Sequence, residues 1–346
     1  MSQFAPESCH ESLLRQAPKS LAFHAGVDFA AWRQHVGDKL HELLGVSPER
    51  VPLDITVEYE REHEIFIERR FTFVSEPGAM VPCHLLLPKN VKGPFPAMIC
   101  LQGHSTGMHI SLGRAKYDGD EASIAGGRDF ALQAVAQGFA ALTLEQRCFG
   151  ERGDSRPKER RFHASGCAHA THVALLLGRT MIGERVWDIS RAIDVLLTFS
   201  EVDPSRIACM GNSGGGTATY YAACMDERIA MAMPSCAVCT YSASIGSIDH
   251  CVDNYIPGAL KYFDMQDLAG LIAPRPLIVV AGRQDSIFPL NGVEEAFTTI
   301  QQIYAAAGMP ENCRLVLGGQ GHQFYPEEAW PVFRDMMQRQ SLRVVS

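Results

Sequence analysis

Gly211-Asn212-Ser213-Gly214-Gly215 is the stretch whose reading decides the fold. It has the form G-x-S-x-G. A short apolar run, 207–210, precedes it, and a helix-compatible run, 217–225, follows. A strand, a tight turn and a helix in that order are the setting in which a serine is presented as a nucleophile. The glycines have a physical reason. Such a turn needs strained or positive φ angles, and side chains beside the serine would block the substrate. The helix that starts next offers free N–H groups and a positive dipole end to a developing oxyanion.

Working outward, the apolar pattern predicts alternating strands and helices. Residues 1–27 carry no clear period and read as an arm. Asp28 reads as the N-cap of an amphipathic helix reaching about residue 44, with Phe29, Trp32, Val36, Leu40 and Leu43 on one face. Three strand-like segments, 53–60, 64–74 and 80–87, follow at short separations and predict an antiparallel start. From residue 95 the strands become continuous apolar runs, as expected for strands covered on both faces. They fall at 95–101, 139–144, 207–210, 229–233, 276–281 and 313–317. Helices are predicted at 129–137, 180–200, 217–225, 293–307 and 327–338. The pattern implies an α/β fold with a mostly parallel, doubly wound sheet, an antiparallel start and helices on both faces. Residues 1–50 are expected to pack on a catalytic domain of residues 51–346. Two long connections, 147–179 and 235–271, leave the carboxyl ends of strands, where open α/β sheets bind ligands, and are expected to border the active site.

A serine nucleophile needs a base, and the base needs a group to orient it. Strand 276–281 runs into Gly282-Arg283-Gln284-Asp285. The last strand runs into Gly318-Gly319-Gln320-Gly321-His322. Ser213, Asp285 and His322 therefore follow the order serine, acid, histidine on the ends of successive strands, as this fold type requires. His250 would invert that order, and Asp253 and Asp264 end no strand. Two backbone donors are needed for an oxyanion hole. Gly214 N–H is one, and the turn Gln102-Gly103-His104 supplies the other, from His104 or alternatively from Gly103. The His104 side chain stands between two readings, substrate contact and packing. Arg147 and Glu151 are candidates to orient a polar substrate, with a loop-fixing ion-pair network as the alternative. Tyr255, Tyr262 and Phe288 are candidate pocket walls, or ordinary core.

Composition bounds the rest. The 346 residues are 46% apolar and carry a formal charge of −8, which suits one large globular unit. No long basic block is present, so nucleic acid is not an expected partner. No apolar run approaches the roughly 20 residues of a membrane span. The first twenty residues lack the pattern of a signal peptide. Eleven cysteines, an odd number scattered through apolar segments, read as reduced thiols, so a cytoplasmic location is expected. Cys236 and Cys239 have metal-type spacing, yet no second pair stands near them. No metal or organic cofactor is expected. The expected partner is a small-molecule ester, and a homo-oligomer stays open.

Gln102-Gly103-His104, the Ser213 pentapeptide, Asp285 and His322 together resemble the α/β-hydrolase superfamily. More narrowly, three stretches resemble its bacterial acetyl xylan esterase-like and dienelactone hydrolase-like branch. They are Asp188-Ile189-Ser190-Arg191-Ala192-Ile193-Asp194 with Asp203-Pro204-Ser205-Arg206-Ile207, then Ile272-Ala273-Pro274-Arg275-Pro276-Leu277, then Cys251-Val252-Asp253-Asn254-Tyr255-Ile256-Pro257-Gly258. The resemblance implies a short-acyl carboxylesterase or deacetylase working through an acyl-enzyme. The chain departs from cephalosporin C deacetylase-type members, which carry glutamine after the nucleophile where Gly214 stands here. It departs from dienelactone hydrolases in having serine rather than cysteine. Alternatives are a prolyl-oligopeptidase-like peptidase, a lactone hydrolase, and a non-catalytic binding protein on the same fold.

Overall fold

The structure, a computed structural model, describes residues 4–155 and 166–344. Nine strands form one sheet: β1 (Thr56–Glu62), β2 (Phe66–Glu76), β3 (Ala79–Pro88), β4 (Phe95–Leu101), β5 (Ala140–Leu144), β6 (Val202–Asn212), β7 (Ile229–Ser235), β8 (Leu277–Gly282) and β9 (Cys313–Gly318). Their order is β1-β2-β3-β5-β4-β6-β7-β8-β9. The first three strands pair antiparallel, as does β3 with β5; from β5 to β9 every pairing is parallel. This is the α/β-hydrolase arrangement expected from the sequence.

The continuous apolar strands are explained by two cores. In β4, Ala97, Ile99 and Leu101 enter one apolar cluster, while Met98 and Cys100 enter the other. Successive side chains leave a strand on opposite faces, so a strand covered twice must be apolar at every position. Helices Phe29–Leu44, Met181–Leu196, Gly214–Met225 and Leu290–Ala306 contribute to the first cluster. Helices Phe130–Ala136 and Pro326–Val344 cover the second. The Asp28 side chain accepts a hydrogen bond from Ala31 N–H, and Gly45 closes that helix at φ 67°.

Several elements differ from the sequence reading, among them the helix Ala168–Leu176 inside the connection read as 147–179. Residues Pro6–Arg15 form a helix where an arm is expected. That helix buries no residue, so it leaves no apolar stripe to detect. The signals it does carry are local: proline at its start, Glu7 in the first turn and Arg15 in the last. Strand β6 begins at Val202, ahead of the predicted start, because Val202 pairs with Phe95 across Asp203-Pro204-Ser205, a triplet whose composition suggests a turn. None of the eleven cysteines forms a disulfide. Among the described residues, no helix is long and apolar enough to cross a membrane.

Candidate active site

Strand β6 delivers Ser213 at its carboxyl end with φ 58° and ψ −127°. A non-glycine residue in this region is strained, and such strain concentrates at functional turns. The surroundings hold it there. Ser213 N–H donates to Ser235 O at 2.9 Å, and Thr217 N–H donates to Ser213 O at 2.8 Å. A β-carbon on Gly211 would lie 2.6 Å from the Gly215 backbone, and one on Gly215 would lie 2.2 Å from Leu101 O. Both glycines are therefore required by close backbone approach. Ser213 heads the helix Gly214–Met225, whose first turn carries three glycines.

Asp285 and His322 come together from the ends of β8 and β9. His322 Nδ1 lies 2.8 Å from Asp285 Oδ2. Asp285 Oδ1 accepts the N–H groups of Ile287 at 2.8 Å and Phe288 at 3.1 Å. Burial pushes the Asp285 pKa upward, but the His322 hydrogen bond and charge, with the two backbone N–H groups, outweigh it and leave the carboxyl below its ordinary range. The two loops are tied by main chain: Arg283 N–H donates to Gly318 O at 3.0 Å, and Gln284 N–H to Gln320 O at 2.9 Å. The Phe288 ring stacks on His322 at 5.9 Å between centroids and 13° between planes. Phe288 is fully buried, so it supports the imidazole more than it walls a pocket. The Cys236 thiol lies 3.3 Å from Gln323 O. Burial and the nearby Asp285 charge push it up to about 12, so it stays protonated at neutral pH.

The turn after β4 meets the serine directly. A β-carbon on Gly103 would stand 2.8 Å from Ser213 Cβ and 3.3 Å from Gly214 N. Gln102 anchors the turn, donating from Nε2 to Ser111 Oγ at 2.7 Å and to Arg128 O at 2.6 Å. Gly103, His104, Ser213 and Gly214 thus share one corner. The His104 Nδ1–Cε1 edge faces Gly214, where a β-carbon would lie 3.1 Å from Nδ1. Nε2 of the same ring lies 3.0 Å from Asp253 Oδ2. Asp253 is fully buried, and its Oδ2 also meets Arg185 Nη2 at 2.8 Å. The sequence reading gave Asp253 no role. Its only signal was membership of the 251–258 stretch, since contact with His104 spans 149 positions.

Four donors, from His104, Cys167, Cys251 and Asp253, lie within 4.8 Å of one another. Arg185 already supplies the cation there: its Nη2 also lies 3.9 Å from Cys167 Sγ. A divalent ion at that point would face a buried guanidinium, so the cluster reads as an ion pair with attached thiols.

Arg147 and Glu151 fall outside this corner, and their alternative reading fits. Arg147 binds Glu76 at 2.6 Å, Glu184 at 2.8 Å and Asp188 at 2.9 Å. Arg152 and Arg179 extend the network to Asp188 and Glu76. Glu151 is held by Arg70 at 2.7 Å. Both side chains are thus held in ion pairs within the protein. The partners come from β2 and the helix Met181–Leu196 and reach the loop only in three dimensions. Tyr255 donates its hydroxyl to Ile245 O and lines a shallow cleft with Leu14, Tyr241 and Ile256, away from Ser213. Tyr262 packs against the first core cluster and carries Lys39 over its ring. Asp264 serves the fold by accepting from Tyr241 N–H and pairing with Lys19. Connection 147–179 lies partly outside the described residues.

Residues 10–329 match the model of the Abhydrolase family. The candidate hydrolase YtaP of Bacillus subtilis (strain 168) is 26% identical over 294 residues, covering 82% of this chain and 92% of that protein. A 4-O-methyl-glucuronoyl methylesterase of Phanerochaete carnosa is 28% identical over 227 residues, 57% of this chain and 54% of that protein. Among solved structures, a candidate acetyl xylan esterase of Bacteroides fragilis superimposes with a TM-score of 0.74 at 17% identity, covering 91% of this chain and 82% of the other. A glucuronoyl esterase of Solibacter usitatus gives 0.69 at 17% identity, covering 93% and 97%.

Proposed function

Because this chain belongs to the Abhydrolase family, we propose that it is a serine hydrolase of carboxylic esters, acting on short acyl groups carried by carbohydrates. One observation supports the reading: a strained Ser213 at the end of β6, with an imidazole–carboxylate pair set on the ends of β8 and β9 of the same sheet. Ser213 Oγ attacks the acyl carbon, and His322 Nε2 takes its proton. Asp285 fixes the His322 tautomer through Nδ1–H and stabilises the imidazolium that forms. The N–H groups of Gly214 and of the Gly103–His104 turn receive the oxyanion. His322 then protonates the leaving alcohol and activates the water that releases the acid.

The carbohydrate part of the reading draws support from the acetyl xylan and glucuronoyl esterases similar to this chain. They suggest two arrangements of the same chemistry. In one the sugar is the alcohol and acetate the acid. In the other the sugar is a uronic acid and the alcohol leaves. The free thiols support a reducing, cytoplasmic setting.

The test is hydrolysis of p-nitrophenyl acetate, acetylated xylo-oligosaccharides and methyl glucuronate by wild type and Ser213→Ala. Wild-type turnover of acetyl esters that drops about 10⁶-fold in the variant is the expected result. Preference for methyl glucuronate would select the second arrangement. Turnover that survives the substitution would overturn the reading.

A further inference from the structure

The mechanism above uses only backbone N–H groups against the oxyanion and leaves a second imidazole–carboxylate pair unused. We propose that the His104 side chain is a third donor to the oxyanion, its Nδ1–H joining the backbone N–H groups of His104 and Gly214, with Asp253 as the positioning residue that keeps the ring turned. The inference rests on the esterase reading.

Three observations place the donor. Nε2 is committed to Asp253, so the nitrogen left facing Ser213's neighbour is Nδ1. The ring edge that carries Nδ1 occupies the space that a side chain at position 214 would fill. Gly103 lies against Ser213 Cβ and Gly214 N, so the turn that carries His104 packs directly on the nucleophile's corner. Phe149 meets the imidazole edge-to-face at 5.0 Å and fixes its plane.

The groups around the ring decide its charge. Asp253 and Cys251 face it from the 235–271 connection, and His250 of the same connection interacts with it more weakly. Arg185 stands behind Asp253 on the helix Met181–Leu196, and Cys167 lies beside Arg185. Burial lowers the His104 pKa, but Asp253 and Cys251 outweigh it and lift it to about 9. Burial raises the Asp253 pKa, and Arg185 with His104 drives it well below the usual carboxylate range. The ring is therefore an imidazolium at neutral pH, with both N–H groups in place.

No proton leaves His104 in the step. As Ser213 Oγ bonds to the acyl carbon, its proton passes to His322 and the carbonyl π pair moves onto oxygen. That oxygen accepts three N–H groups. Collapse restores the C=O bond and expels the alkoxide, which takes the proton from His322.

The experiment compares wild type, His104→Gln and Asp253→Asn in two assays across pH 5 to 10. One is kcat and KM for p-nitrophenyl acetate, and the other is the rate of Ser213 labelling by a fluorophosphonate. Folding of each variant is checked by circular dichroism. Glutamine keeps the backbone N–H, so kcat is expected to fall about 10²-fold with KM little changed. Wild type should lose kcat above about pH 9, and that limb should vanish in His104→Gln. In Asp253→Asn the limb should move to lower pH; because this variant keeps the imidazole, it reports on charge where His104→Gln reports on the donor. An alkaline limb and kcat unchanged in folded His104→Gln would overturn the proposal alone. Absence of both turnover and labelling in wild type would overturn the esterase reading and this proposal with it.

Discussion

Two imidazole–carboxylate pairs, His322 with Asp285 and His104 with Asp253, are built differently. His322 meets Asp285, whose second oxygen is served by two backbone N–H groups. His104 meets Asp253, whose same oxygen is shared with the buried guanidinium of Arg185. Both carboxylates are fully buried, while about a third of the His104 side chain and less than a fifth of the His322 side chain remain open. The contrast separates two tasks that one residue type can perform. A base that must gain and lose a proton is served by neutral dipoles, which orient without adding a fixed charge. A donor that must stay charged is served by an anion whose own ionisation is secured by a cation behind it.

The comparison is broken most severely at Asp285. Asp285→Asn removes the acceptor that fixes the His322 tautomer, and kcat should fall about 10⁴-fold while Ser213 stays in place. Steady-state kinetics on p-nitrophenyl acetate check this, and a loss as small as that expected for His104→Gln would erase the distinction between the pairs. Next comes Arg185→Met. It leaves Asp253 buried with one partner fewer and should cost about 3–5 kcal/mol of stability, read by urea denaturation. In the folded fraction the alkaline limb of kcat should move upward, because a nearby cation no longer opposes the His104 charge. The smallest effect is expected at Phe288→Leu. Loss of the ring stacked on His322 should change kcat/KM by about 0.5–1.5 kcal/mol, at most about tenfold. An unchanged value would show that the two Asp285 amides hold the pair without help.

The pairs also link stability to pH in opposite directions. The His104 pKa is raised from 6.5 to about 9. Its contribution to stability is complete below 6.5 and disappears as pH rises through about 9. The Asp285 pKa is lowered, so its contribution is present above the ordinary carboxylate value and is lost as pH falls through the depressed one.

The legibility of the site divides along the same line. Ser213, Asp285 and His322 stand out in the sequence because each follows a strand end, and strand ends are marked locally by an apolar run that stops at glycine. The pentapeptide likewise announces its turn, since Gly211 and Gly215 answer contacts that admit no β-carbon. The helix Pro6–Arg15 escaped because it buries no residue. Arg147 looked available because its three acidic partners, Glu76, Glu184 and Asp188, come from distant segments.

What the sequence determined by itself is therefore the α/β order, the strand–turn–helix around Ser213 and the placing of Ser213, Asp285 and His322 after the ends of β6, β8 and β9. These follow from hydrophobic period and from the backbone demands of a tight turn, both of which act over a few residues. Only the tertiary structure decided which charges are matched. It folded the 235–271 connection so that Asp253 reaches His104 and Arg185, and drew Arg147 into a network with Glu76, Glu184 and Asp188. The physical reason is that ionisation depends on burial and on neighbours within a few ångströms, and chain distance carries no information about either.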